Sequence, residues 1–154
     1  MDVNVLLFCC WTAATGLETM TEDRLRDLLA TVSTWQADAV QPLRALRRRL
    51  KLGFEGVTDA HRQTLRQQIQ TAEIDAEHIE QLTLAASVSA HTQAISSAAD
   101  RAAVAVRNIR NYSAVLGLNW AEIRHQHLAA ILTACFPEVA DTVVRTILDG
   151  NANG

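Results

Sequence analysis

Asp2-Val-Asn-Val-Leu-Leu-Phe-Cys-Cys-Trp11 is apolar on almost every side when wound as a helix of about 100° per residue. Its few polar positions, Asn4 and the following Thr12 and Thr15, share an arc with Phe8 and Trp11. A helix that is apolar all round is a buried one. The stretch therefore predicts the central post of a helical bundle over residues 3–15, with Asp2 as N-cap and Gly16 as the residue that closes it. Burying Leu6, Leu7, Phe8 and Trp11 would contribute about 1.5–3 kcal/mol each. A lone helix of this length is marginal in water, so other helices must surround it.

The 154 residues suit one domain, which buries roughly 70% of the surface its unfolded chain exposes. Hydrophobic residues make up 49% and charged ones 20%, an ordinary balance for a globular chain. The net charge of −3 lacks the basic footprint of a nucleic-acid binder. The apolar start is too short to span a bilayer, and Asp2 stands where a signal peptide would carry Lys or Arg. The expectation is a cytoplasmic protein with no membrane partner. Three cysteines, two of them adjacent, make no disulfide framework, and Cys9 and Cys10 read as small hydrophobes.

Further along, Thr21, Glu22 and Asp23 suit the start of a second helix with Leu25, Leu28, Leu29 and Val32 inward. Ser33 or Thr34 suits the cap of a third, whose stripe is Trp35, Ala39, Leu43, Leu46 and Leu50, with Pro42 inside it as a kink or a new start. After a Gly53–Gly56 loop, Thr58 or Asp59 opens a long fourth helix. Leu65, Ile69, Ala72, Ala76 and Ile79 form a seam there like that of a coiled coil. The Ser- and Ala-rich stretch 86–100 predicts a loose connection. Asp100 then begins a fifth helix with Ala102, Ala105, Ile109, Tyr112 and Leu116 inward, ended by Gly117. Asn119 and Glu122 resemble a capping box for a sixth, with Ile123, Leu128, Ile131, Leu132 and Cys135 as its core face. Pro137 suits the first turn of a seventh with Ala140, Val143, Val144 and Ile147 inward, and a frayed tail begins at Gly150. The reading is a single all-α domain over 1–154, a bundle of six to seven helices around the apolar N-terminal one.

Arg44, Arg47, Arg48 and Lys51 fall on one helical stripe, and an antiparallel fourth helix would bring Arg62 and Arg66 alongside. Glu73, Glu77 and Glu80 would fall toward the other end. This pattern suits an anion or an acidic partner, although charge runs are more often solvated faces. No stacking aromatics accompany the arginines, so nucleic acid is not favoured. Asp75/His78 and Glu122/His125 have the spacing of carboxylate-bridged metal bundles, but their phase turns them from the core stripes, so no metal or other cofactor is expected. His127 lies near an apolar edge, where a hydrogen-bonded core histidine is the ordinary case. Neither a nucleophile motif nor a phosphate-cradling loop is present.

The Asp2–Trp11 run resembles the signature of an uncharacterised proteobacterial family of small helical proteins, a domain of unknown function. The blocks Val40-Gln-Pro-Leu-Arg-Ala-Leu-Arg-Arg-Arg-Leu-Lys51 after Trp35, and Ala72-Glu-Ile-Asp-Ala-Glu-His-Ile-Glu-Gln81, are similar to its other blocks. The likeness covers about residues 1–85 and implies a small helical fold and no activity. Members usually carry a further helical stretch before the first block and stop near residue 85. Either the true start of this chain lies upstream of Met1, or the helices of 101–149, or a second subunit, cover the first helix. Three functions follow: a self-associating or partner-binding scaffold without catalysis, an anion-binding module using the Arg cluster, and an enzyme or apolar-ligand carrier with a pocket among Phe8, Trp11 and Trp35.

Overall fold

The computed structural model describes residues 1–17, 19–88, 97–123 and 125–150, without the side chain of His125. Its elements are α1 (Val3–Ala14), α2 (Glu22–Trp35), a π-helical turn (Gln36–Val40), α3 (Gln41–Arg49), α4 (Asp59–Ala86), α5 (Ala98–Val115), a 3-10 turn (Trp120–Glu122), α6 (His125–Cys135) and α7 (Asp141–Gly150). The described residues are all-helical, as expected. No helix among them is long and apolar enough to cross a membrane. Two compact units emerge. The first joins Met1–Leu28 to Val88–Gly154, and the second is Leu29–Ser87. Most of the predicted loose connection, 89–96, and the tail beyond Gly150 lie outside the described residues.

In the first unit α1 packs along α5 and against α6, and α7 packs on α5 and α6. Asp2 caps α1 by accepting from Asn4 N at 2.9 Å. Gly16 takes a φ of +77°, open to glycine at little cost. Leu17 N then reaches Thr12 O at 2.8 Å while Gly16 N reaches Ala13 O at 3.1 Å, which closes the helix. Gly117 ends α5 in the same way, with φ +67° and Leu118 N donating to Ser113 O at 2.9 Å. Val5, Leu6, Phe8, Cys9, Cys10 and Ala13 are buried on α1, and Ala102, Ala105, Val106, Ile109 and Tyr112 on α5. The small residues of α5 allow close approach.

The N-terminal helix is not walled in all round. Val3, Leu7 and Trp11 are 61%, 38% and 43% exposed, one stripe at steps of four, whereas the polar Asn4 and Thr12 are buried. The reason is a partner that periodicity does not reveal. Asn108, fully buried on α5, donates to Thr12 Oγ1 at 3.2 Å and Cys9 O at 3.3 Å. Its Oδ1 accepts from Met20 N at 2.8 Å, and Asn111 donates to Met20 O at 2.7 Å. These bonds fasten the link between α1 and α2 onto α5.

Other boundaries also moved. Ser97, not Asp100, caps α5: Asp100 N donates to Ser97 Oγ at 3.1 Å and Ser97 Oγ to Asp100 Oδ2 at 2.6 Å. Leu116 is exposed because it lies at the helix's end. Asn119 caps only the 3-10 turn, by accepting from Ala121 N at 3.1 Å. In α6 Leu128, Ala129 and Leu132 are buried, with Ile131 and Cys135 half-buried. Pro137 stands in a turn before α7, whose buried residues are Val144 and Leu148. The late start turns Val143 outward and leaves Ile147 half-buried.

In the second unit the expected cap at Ser33 or Thr34 is not used. Ser33 Oγ bonds back to Ala30 O at 2.9 Å, and α2 runs on through the π-helical turn into α3. Pro42 sits in the first turn of α3, where its missing N–H and ring are accommodated by the wider turn just before it. Thr58 caps α4 as expected. The buried face of α4 is Arg62, Glu73, Ala76, Glu80 and Leu84. It is rotated about 60° from the expected seam, taking about 100° per residue. Leu65, Ile79 and Leu82 therefore stand 45%, 46% and 58% exposed.

Candidate functional site

The α3–α4 hairpin is joined by ions and amides as well as by hydrocarbon. Glu73, buried on α4, receives two of the three arginines of the α3 stripe, Arg44 and Arg47. Arg47 donates through Nε to Glu73 Oε2 and through Nη2 to Oε1 at 3.0 Å. Arg44 Nε donates to Glu73 Oε1 at 3.2 Å, and its Nη2 to Glu77 Oε1. The hydrogen bond from Arg47, opposed by burial and reinforced by Arg44, holds the Glu73 carboxyl below its ordinary range. The paired fork geometry suits guanidinium and carboxylate.

The polar seam continues along α4. Glu80 is fully buried and accepts from Gln36 Nε2 at 3.2 Å, while Gln41 Nε2 donates to Gln36 Oε1 at 3.1 Å. Trp35 donates through Nε1 to Ala76 O at 2.9 Å. At the other end Arg62 is buried, with Nη1 donating to Leu50 O at 2.6 Å and Nη2 to Asp59 Oδ1 at 2.7 Å. The Nε atoms of Arg62 and Arg66 are sealed from solvent without an acceptor. Arg49 lies over the Phe54 ring at 3.9 Å, and Arg48 and Lys51 are exposed.

The six basic residues singled out by sequence therefore part company. Arg44, Arg47 and Arg62 are committed to internal partners, and Arg48, Lys51 and Arg66 are not. The acids expected toward the far end, Glu73 and Glu77, reach back to the arginines because a long guanidinium arm spans a helical turn. Sequence reasoning missed Glu73 as their receiver. The signal was present in the matched spacings: Glu73 and Glu77 four apart, Arg44 and Arg47 three apart, on facing helices.

Of the three aromatic residues proposed to line a pocket, Phe8 and Trp11 stack in the first unit, with centroids 5.7 Å apart and planes at 27°. Trp35 belongs to the second unit. His127 is exposed, as are Asp75 and His78, and Glu122 accepts from Asn119 Nδ2 at 3.2 Å. Burial pushes the Cys9 thiol up to about 12, and burial followed by the neighbouring Cys135 raises that of Cys10. Thiols held protonated in this way are poor nucleophiles.

Fold and seam together describe an all-helical protein whose second unit is an ion-paired helical hairpin. Residues 1–84 match the family model "Protein of unknown function (DUF2390)", and the chain belongs to that family. The matched stretch runs from α1 nearly to the end of α4, so the cover that α5 and α6 give α1 comes from beyond it. No curated protein and no solved structure matches the chain.

Proposed function

We propose that this chain is a cytoplasmic interaction module without catalysis, and that it self-associates through the outer face of α4. The observation that carries the reading is an apolar stripe with no cover. Leu65, Ala72 and Ile79 recur every seven residues, with Leu82 three further on, and the three large ones are 45–58% exposed. Sustained exposure of that kind marks an interaction face more often than a scattered apolar residue does. The inner face of the same helix carries Arg62, Glu73 and Glu80, so the hairpin buries three charged side chains while it leaves much of its hydrocarbon outside.

A second hairpin laid on that face would convert two helices into four, an arrangement with a core of its own. The 28 residues of α4 give a helix about 42 Å long, enough for the roughly 800 Å² per partner that stable association requires. The test is sedimentation velocity over a rising concentration series. Wild type should pass from monomer to dimer, and the double variant Leu65→Glu/Ile79→Glu should stay monomeric with unchanged helicity. A wild type that remains monomeric at high concentration would sink the reading. The cellular placement is checked separately, by fractionation of the native host.

A further inference from the structure

We infer that Arg66, with Arg48 and Lys51, forms a binding site for a phosphate-type oxyanion at the loop end of the α3–α4 hairpin. This goes beyond self-association and does not depend on it, because Arg66 lies more than a quarter turn around α4 from Ile79.

An arginine on a solvated face keeps its charged head in water. Arg66 is instead drawn to half-burial, and its Nε is closed off from solvent with no acceptor. Removing an N–H from water without replacing its hydrogen bond is unfavourable. Acceptors on either side of Arg66 along the hairpin serve other arginines: Glu73 takes Arg44 and Arg47, and Asp59 and Leu50 O take Arg62. Arg62, itself buried and one turn away on α4, has a second sealed Nε without an acceptor. Two such N–H groups on successive turns point to an acceptor that the chain does not supply.

By the register of the hairpin, the end of α3 that carries further cations is the end that lies along Arg66. Leu50 is tied to Arg62, and Arg47 to Glu73. Arg66 falls between those ties, alongside the last turn of α3. Arg48 and Lys51 lie on the stripe of Arg44 and Arg47, exposed and with no carboxylate partner among the described residues. From residue 48 to 66 there are five Arg or Lys against Glu55 and Asp59, in a molecule whose net charge is −3. One carboxylate would leave most of that excess in place, whereas a doubly charged tetrahedral oxyanion matches it. Such an anion also fits the two-pronged donor edge of a guanidinium.

The test is a titration of the full chain with sodium phosphate at constant ionic strength, with sodium chloride as the matched control. Backbone amide shifts and the thermal midpoint are followed together. Phosphate should raise the midpoint and shift amides of residues 48–66 saturably; chloride should do neither. Arg66→Gln should weaken binding at least about tenfold, the loss expected for a charge-assisted hydrogen bond. Arg66→Lys, which keeps the charge but not the fork, should restore part of it. Should Arg66→Gln fail to fold, the exposed pair Arg48→Gln/Lys51→Gln must weaken binding by a similar factor. A parallel titration with O-phosphoserine separates the sources: equal affinity assigns a phosphomonoester, and binding of inorganic phosphate alone assigns the free ion. Identical responses to phosphate and chloride, or affinity unchanged in the folded variants, would overturn the site.

Discussion

Asn108 holds together a place where three segments meet. Its amide serves Thr12, Cys9 O and Met20 N in a region closed to water. Replacing it with Ala would leave the Met20 N–H and the Thr12 hydroxyl with fewer partners, and the acceptor-less N–H is the costlier loss. Asn108→Ala should lower stability by about 2–3 kcal/mol, read by chemical denaturation. A loss below about 0.5 kcal/mol would mean that water replaces the amide there. At this scale the sequence misleads in one direction. The first helix reads as covered all round, yet it is covered on the side of Asn4 and Thr12, while Val3, Leu7 and Trp11 face outward. Polarity along one strand of sequence cannot report an amide that arrives about a hundred residues later.

At the scale of elements, the α3–α4 pair depends on the ionisation of Glu73. Its carboxyl keeps its proton less readily in the folded chain than in the unfolded one, chiefly because of Arg47. The resulting stabilisation is complete above the ordinary carboxylate value of 4.5 and is lost as pH falls through the lower value of the folded state. Glu73→Gln removes the charge that two half-buried arginines share. It should lower stability at neutral pH by about 2 kcal/mol, less than for a fully buried pair because both guanidinium groups retain some water. It should also flatten the acid limb of the stability curve, measured by urea denaturation from pH 7 downward. An acid limb as steep as that of wild type would show that other carboxylates govern it. Helix ends were legible where local chemistry sets them, as with Asp2, Thr58, Gly16 and Gly117. The continuous passage from α2 to α3 was not, because Ser33 has the residue type of a cap and the π-helical turn has no local signature.

For the molecule as a whole, the two units differ in what their helices bury. Between α1 and α5 the buried set is mostly alkyl and aromatic, with the polar Asn4, Thr12, Asn108 and Ser113 among it. In the hairpin, α4 buries Arg62, Glu73 and Glu80 and leaves Leu65, Ile79 and Leu82 in water. Local opening should follow that difference. In dilute solution, amides of residues 102–113 should exchange with deuterium about tenfold or more slowly than those of the middle of α4. Equal protection would mean that the ion-paired seam is as strong as the apolar one.

Composition and the 3.6-residue period were enough to determine an all-helical chain with an apolar first helix, because helix propensity and amphipathic spacing act within a few residues. The same spacing marked the covered faces of α2 and α5, but in α1 and α4 tertiary structure alone decided which face was covered. The heptad of α4 could have packed inward on Leu65 and Ile79, yet Arg44 and Arg47 draw Glu73 and Glu77 toward α3 and turn that hydrocarbon outward. Facing is settled by the partner's side chains, and those come from elsewhere in the chain.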